Sequence, residues 1–183
     1  MNGNISVLEQ YLRTYRSVLA QEEDPKTIIS DLLVILRNYS LWEQELRTMA
    51  ETHAPLSAIL AKSAEIVHNP ILIFDLEGNL LGQSNLEKAI QHPTFAHVWA
   101  YGKMSASALT VRYVNRRGQY RPDLTDSPQL TRPENSSEEA CLSMYFSVDG
   151  ERVAYCLLVI LDEQELELDQ QFLAFLKPYF LQA

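Results

Sequence analysis

Apolar residues recur at three- and four-residue steps through the first third of the chain, which is the spacing of one buried helix face. The successive stripes are Ile5, Leu8, Leu12, Tyr15 and Leu19, then Ile28, Ile29, Leu32, Leu33, Leu36 and Tyr39, then Leu56, Ile59, Leu60, Ser63 and Val67. Asp24-Pro25 has the form of an N-cap followed by a proline in the first helical position. The pattern therefore predicts a helical N-terminal region.

Two further signals divide this region. Ser40 and Glu43 have the spacing of a capping box, in which hydroxyl and carboxylate bind the free amides at a helix start, so we expect a new helix from Leu41. Pro55 must break that helix, kink it or begin another one, because a proline inside a helix removes a hydrogen bond. Asn69-Pro70 ends the helical region.

From residue 71 the pattern changes to short, branched apolar runs separated by turn residues, which is typical of strands. Ile71–Asp75 is the first run, and Leu80–Ser84 is the return strand after a turn at Glu77-Gly78-Asn79. Residues 85–101 have the pattern of one or two short helices, interrupted at His92-Pro93. The sequence therefore predicts a hairpin followed by short helices.

Residues 115–139 have no apolar period and contain three prolines, so they form a longer connection than a compact domain usually needs. This segment is either a mobile lid or disordered, and the sequence leaves both interpretations open. Acidic residues from Asp162 to Asp169 later precede a last helix, whose positive N-terminal end they suit. The apolar stripe of that helix is Phe172, Phe175, Leu176 and Tyr179.

Residues 140–162 contain the strongest local signal, two apolar runs on either side of Asp149-Gly150, which predicts a hairpin with a two-residue turn. In the register that this turn implies, Val148 faces Glu151. One face then carries Leu142, Met144, Phe146, Val148, Val153, Tyr155, Leu157 and Val159, and we expect it to be core. The other, semi-polar face carries Cys141, Ser143, Tyr145, Ser147, Ala154, Cys156 and Leu158.

Composition narrows the classes of partner. The 183 residues carry a formal net charge of −9, with a pI of about 4.9. Free nucleic acid is not an expected partner of this chain, since phosphate contacts need a basic surface. No apolar run of about 20 residues occurs, and the N-terminus lacks the basic and apolar regions of a signal peptide, so we expect no membrane partner.

The two cysteines, Cys141 and Cys156, do not form a C-x-x-C pair. In the expected hairpin register they are diagonal neighbours, so a disulfide between them is disfavoured. We expect a cytoplasmic protein with reduced, half-buried thiols.

The run from Asn69 to Asp75, followed by Gly78-Asn79-Leu80-Leu81 and Ser84, resembles the opening of a PAS- or GAF-type sensory domain. Residues 41–182 resemble the N-terminal sensory regions of bacterial PucR/CdaR-type transcription regulators, and the hairpin at Val148–Arg152 also fits. The resemblance implies an α+β fold with an antiparallel sheet flanked by helices. We divide the chain into an N-terminal helical and dimerisation region, residues 1–66, and a PAS/GAF-like sensor domain, residues 67–183.

The resemblance also implies a function. Such a domain senses a small molecule and dimerises through flanking helices, and the Ile5–Leu19 stripe is compatible with that, although an intramolecular core is the commoner use of so short a stripe. A helix-turn-helix output domain follows the sensor in that family. This sequence contains no such pattern, so DNA is expected as a partner only through an output domain outside this chain.

Positive charge in this acidic chain concentrates on Lys103, Arg112, Arg116, Arg117, Arg121 and Arg132. Residues 107–114 are a strand candidate on which Thr110 and Arg112 share one face. If Arg112 lies beside Ser143 and Tyr145, its guanidinium would bind a carboxylate or phosphate through paired hydrogen bonds. The simpler interpretation, which we favour, is a solvated basic rim.

Trp99 and Cys156 complete the candidate ligand site. Trp99 would close an aromatic wall, although packing is the commoner fate of such a ring. Covalent attachment of a chromophore to Cys141 or Cys156 is conceivable, but a small buried hydrophobe is the far commoner role of a thiol in a strand.

Sequence motifs for catalysis and metal binding are missing. The four histidines, which are scattered and have no ligand partner at metal spacing, are His53, His68, His92 and His97. We therefore expect no catalytic residue, metal or cofactor. Two rival hypotheses are a dimeric protein-interaction scaffold with a filled pocket and, ranked last, a small enzyme that uses Arg112, Tyr145 or Cys156.

Overall fold

The computed structural model describes residues 24–108, 125–131, 140–161 and 166–183. In these residues the order of elements is α1 (Pro25–Glu51), α2 (Leu56–Ser63), β1 (Ile71–Asp75), β2 (Leu80–Ser84), a 3-10 turn (Leu86–Lys88), α3 (Pro93–Tyr101), β3 (Gln129–Thr131), β4 (Cys141–Val148), β5 (Glu151–Val159) and α4 (Leu166–Phe180). The five strands form one antiparallel sheet in the order β2-β1-β5-β4-β3. The fold is therefore α+β, with an antiparallel sheet flanked by helices, and it is consistent with a PAS/GAF-like arrangement.

Helix α1 begins at the predicted residue, Pro25, and continues past Leu41, where a new helix was expected. The Asp24 side chain accepts the Lys26 amide at 3.2 Å, and Pro25 occupies the first helical position. The expected new helix at Leu41 is wrong, because α1 runs unbroken to Glu51. Ser40 is not a cap: its hydroxyl donates to the Leu36 carbonyl at 2.9 Å, one turn back in the same helix.

Trp42 connects α1, α2 and α4 on one side of the sheet. Its ring lies 6.0 Å from that of Phe175 and 6.3 Å from that of Phe172, both on α4. Its indole nitrogen donates to the carbonyl of Lys62 on α2 at 2.8 Å. Pro55 therefore separates two helices that pack on each other, α1 and α2.

The β4–β5 hairpin has the predicted turn but different faces. Asp149 and Gly150 have φ values of 52° and 82°, as a two-residue turn with two left-handed positions requires, and Val148 pairs with Glu151. The register then shifts, because Phe146 pairs with Ala154 and Ser147 with Arg152, which makes Val153 the extra residue of a bulge.

This shift corrects the expected partners beyond the turn. Leu142, Met144 and Phe146 share their face with Ala154, Cys156 and Leu158, while Cys141 and Tyr145 share theirs with Tyr155, Leu157 and Val159. A shift of one residue exchanges the faces of a strand, since side chains alternate with a period of two. Both faces are buried, so the core is not confined to one face of the hairpin.

The two faces of the sheet carry different helices. Helices α1, α2 and α4 pack on the face that contains Ile71, Ile73 and Met144, which we call the helix face. The 3-10 turn, α3 and residues 104–108 cover the face that contains Leu72, Phe74 and Tyr145, which we call the site face. Gly82 allows α2 to approach β2 closely, because a β-carbon there would lie 2.7 Å from Leu60 Cδ1.

Other predictions along the chain have mixed outcomes. The strands of the first hairpin and the short helices on either side of His92-Pro93 are confirmed. Residues 106–108 form a helical turn instead of the start of a strand. Gln129–Thr131 is a strand inside the segment expected to be a lid or disordered, while the Ile5–Leu19 stripe and residues 109–124 lie outside the described residues.

A buried polar junction holds the start of β1, the end of β5 and the start of α4 together. Asn69 donates to the carboxylate of Asp169 at 2.5 Å and accepts the Leu161 amide at 3.2 Å. The exposed fractions of Asn69 and Asp169 are 4% and 2%. Buried polar groups of this kind stabilise a fold only while they keep their partners.

We expect Asn69→Ala to lower the free energy of unfolding by roughly 2–4 kcal/mol, because a buried hydrogen bond to a carboxylate and a partly buried one to the Leu161 amide are lost. Urea unfolding followed by circular dichroism measures this change. Asn38→Ala, on the exposed side of α1, is the matched control and should not destabilise the protein. A loss for Asn69→Ala no larger than that of the control would show that the junction does not stabilise the fold.

Candidate functional site

The polar side chains of the site face converge where β4 and β5 pair. Tyr145 and Tyr155 are direct cross-strand partners, and both are nearly fully buried. Ser143 lies two residues before Tyr145 on β4 and is also buried. Two phenols and one hydroxyl therefore lie within an otherwise apolar layer, which is the composition of many small-molecule sites.

The aromatic rings of this layer form a continuous stack. Phe74 stacks on Tyr155 with ring centroids 5.1 Å apart, and Tyr155 meets Tyr145 edge to face at 6.5 Å. The guanidinium carbon of Arg152 lies 4.1 Å from the centroid of the Tyr145 ring. This arrangement places a cation on the face of an aromatic ring, where the ring quadrupole attracts it.

Hydrogen bonds orient the polar groups. Tyr155 donates its hydroxyl to the sulfur of Met104 at 3.9 Å. Thr131 on β3 donates to the Cys141 carbonyl at 3.1 Å, and its oxygen lies 2.8 Å from that of Ser143. Because the Thr131 proton is used for the carbonyl, Ser143 is the donor in the second contact.

The structure brings together only part of the predicted ligand set. Ser143 and Tyr145 lie on the same face of β4 and both belong to the candidate site. Cys156 lies on the helix face because of the bulge at Val153, and Trp99 is 54% exposed on α3, so neither joins them. Thr110 and Arg112 lie outside the described residues, so their part in the site stays a prediction.

Sequence reasoning missed three residues of this arrangement, Tyr155, Arg152 and Met104. The sequence predicts Tyr155 on the opposite face from Tyr145, because no sequence signal reveals the bulge. Arg152 is the only basic residue of the β4–β5 hairpin and lies close to the Asp149-Gly150 turn, and these two features could have indicated it as a site residue. Met104 follows Gly102, the left-handed residue that ends α3, and no sequence pattern indicated its contact with a tyrosine.

Asp75, at the end of β1, has a structural role. Its carboxylate accepts the amides of Glu77 and Asn79 at 2.9 and 2.8 Å and the Asn79 side-chain amide at 2.7 Å. Desolvation opposes ionisation, but these hydrogen bonds outweigh it and hold the pKa of Asp75 below its ordinary value. The carboxylate is thus committed to the β1–β2 turn.

Both thiols of the chain are buried and reduced. Cys141 lies on the site face and Cys156 on the helix face, so their positions exclude a disulfide between them. Burial raises the pKa of the Cys156 thiol, which therefore stays protonated at neutral pH. A protonated, enclosed thiol is a poor nucleophile, which argues against covalent chemistry at this residue.

Among the residues that the structure describes, no three acidic, histidine or cysteine side chains are grouped so as to hold a metal ion. None of the helices in the same residues has the length and hydropathy to cross a bilayer.

Comparison with known proteins adds no family to this picture. No protein-family model matches the chain, and a search of curated proteins finds no significant match.

We expect both cysteines to resist a thiol reagent such as dithionitrobenzoate in the folded protein, because both have an exposed fraction of 0%. Two thiols per chain should react after denaturation in guanidinium. Ser57→Cys, on the exposed side of α2, is the control and should react at once without denaturant. Rapid reaction of one thiol in the native wild type would contradict the burial on which this reasoning depends.

Proposed function

We propose that this chain is a small-molecule-sensing regulatory domain of a bacterial transcription regulator, which signals through its flanking helices. The resemblance to PucR/CdaR-type sensory regions supports this proposal, and the residues that carry it form β1, its turn and β2. Contact with DNA would belong to an output domain outside these 183 residues. A cytoplasmic location is part of the same proposal.

The observation that carries the proposal is that one sheet has a polar, aromatic layer on one face and α1, α2 and α4 on the other. Consecutive residues of β5 lie on opposite faces: Tyr155 belongs to the site face, and Cys156 packs among α1, α2 and α4. A displacement of β5 by a ligand therefore has a direct path to the helices. A ligand can shift that packing only through different affinity for the two arrangements.

The ligand class that we propose is a small anionic or polar molecule. Ser143 and Tyr145 provide hydroxyl groups, and Tyr155 lies beside them as a third. A guanidinium would come from Arg112, as the sequence suggests, or from Arg152, which already lies on the Tyr145 ring. Guanidinium groups recognise carboxylates and phosphates through paired hydrogen bonds.

Signalling through helices requires a partner surface, and α1 offers one. Its C-terminal half is buried through Tyr39, Trp42 and Leu46, whereas its N-terminal half exposes Ile29 and Leu33 by 58% and 62%. Contiguous exposed apolar patches mark interaction surfaces, and Ile29 and Leu33 are neighbours one helical turn apart. We propose that this half of α1 pairs with its copy in a homodimer.

A second candidate is a dimeric protein-interaction scaffold with a filled pocket and no ligand. One observation favours it: the buried cluster of the site face has exposed fractions of 3% or less, and those of Leu72, Phe74 and Leu157 are 0%. A scaffold would keep the exposed stripe of α1 and need no cavity.

Thermal unfolding with small carboxylic acids, nucleobases and sugar acids separates the two candidates. A bound member of the panel, present at about one hundred times its Kd, should raise the Tm by roughly 5–10 °C for a protein of this size. Ser143→Ala should reduce that shift, while Ser57→Ala on the exposed side of α2 should leave it unchanged. The scaffold is favoured if no member of the panel raises the Tm.

The same experiment can report on the helices. The chain has two tryptophans, so Trp99→Phe leaves Trp42, between α1, α2 and α4, as the only emitting indole. Ligand binding should change the Trp42 emission if the signal reaches the helix face. A Tm shift without any change in emission would contradict signalling through these helices.

We expect Leu33→Glu to weaken the homodimer at least about tenfold, because it puts a charge into the centre of the proposed contact. Sedimentation equilibrium of wild type and variant measures the dissociation constant. Leu181→Glu, at the C-terminal end of the chain, is the control and should leave the dimer intact. A wild type that stays monomeric, or a Leu33→Glu protein as dimeric as wild type, would contradict the proposed surface.

A further inference from the structure

The edge segment 125–131, which contains β3, has little apolar anchoring. Leu130 is 40% exposed, and Thr125, Asp126 and Ser127 are exposed as well. Pro128 is the buried residue of the segment. Its position on the sheet must therefore depend mainly on hydrogen bonds.

Helix α4 supplies hydrogen bonds to this segment from across the edge of the sheet. Lys177 donates to the Asp126 carbonyl at 2.7 Å and pairs with its carboxylate at 3.3 Å. Gln170 donates to the Pro128 carbonyl at 3.0 Å. The two side chains are seven residues apart, which is two helical turns, so they project from the same side of α4.

The opposite side of the same segment contacts the candidate site. The Tyr145 amide donates to the Thr125 carbonyl at 2.9 Å, and Thr131 holds Ser143 and the Cys141 carbonyl. Ser147 on β4 donates to the Asp126 carboxylate at 2.9 Å. Asp126 therefore contacts both β4, through Ser147, and α4, through Lys177. Segment 125–131 thus bonds at once to the strand that carries Ser143 and Tyr145 and to the C-terminal helix.

We propose that segment 125–131 is a coupling strap, through which the position of the β4 edge and the docking of α4 are linked. The linkage passes around the edge of the sheet and is separate from the path through β5. Coupling of this kind is reciprocal: what loosens the strap at α4 must loosen it at β4. The coupling itself needs no ligand, and its use in regulation rests on the proposed sensing function.

The amide of Tyr145 is a direct reporter, because it donates a hydrogen bond to the strap at the Thr125 carbonyl. Hydrogen exchange of the unliganded protein, followed by NMR, should be about tenfold faster at this amide in the Gln170→Ala/Lys177→Met double variant. Each single variant should have a smaller effect of the same sign. Gln44→Ala and Lys103→Met, at exposed positions away from the strap, are matched controls and should not change the rate.

The reciprocal experiment changes the contact of the strap with β4 and measures the effect at α4. Thr131→Val removes the two side-chain hydrogen bonds of Thr131, to Ser143 and to the Cys141 carbonyl. It should alter the emission of Trp42 in a Trp99→Phe background, since Trp42 stacks on Phe175 of α4. Amides of the β1–β5 ladder should exchange as in wild type, which excludes global unfolding as the cause.

The strap is supported if both arms respond. It is overturned if the double variant leaves Tyr145 exchange unchanged, or if Thr131→Val leaves Trp42 emission unchanged. Failure of the ligand panel would remove the sensing proposal without affecting either arm, so the two proposals fail independently.

Discussion

The bulge at Val153 is the constraint on which the arrangement of this domain depends. Side chains alternate along a strand, so one extra residue decides which alternate residues of β5 face α1, α2 and α4 and which face α3 and the 3-10 turn. With the bulge, Tyr155 lies beside Tyr145 and forms an aromatic layer with Phe74. Without it, Tyr155 and Leu157 would enter the helix face, and Cys156 would take their place beside Ser143.

Because both faces of the sheet are buried, only one register of β5 against its neighbours fits the two cores. The residues of β5 from Ala154 to Val159 are buried, so a slip in either direction would put wrong shapes into two cores at once. The junction of Asn69 with Asp169 and Leu161 fixes the ends of the same sheet, because it joins the entrance of β1 to the exit of β5. Register and junction together hold α4 against the helix face, and this placement lets α4 reach segment 125–131.

Local signals explain what could be predicted from the sequence. Asp24-Pro25, Asn69-Pro70 and Asp149-Gly150 act through backbone geometry of a few residues, and each marks a boundary found in the structure. The helix start predicted at Ser40 is wrong, because a hydroxyl can bond to the preceding turn as readily as it can cap a helix. Trp42 also packs on α4 from within the continuous α1. The site was predicted only in part, since its membership depends on a bulge and on contacts between residues distant in sequence, such as Tyr155 with Met104.

Two routes now connect the candidate site to α4, and they differ in physical character. The route through β5 depends on close packing, which resists small displacements and transmits them stiffly. The route through the strap depends on a few hydrogen bonds at an exposed edge, each of which contributes little net free energy and exchanges readily with water. A small ligand binds with limited free energy, so it can shift a weakly held edge more easily than a sheet buried on both faces. If this domain senses a ligand, the edge at β3 is therefore the more responsive of the two routes.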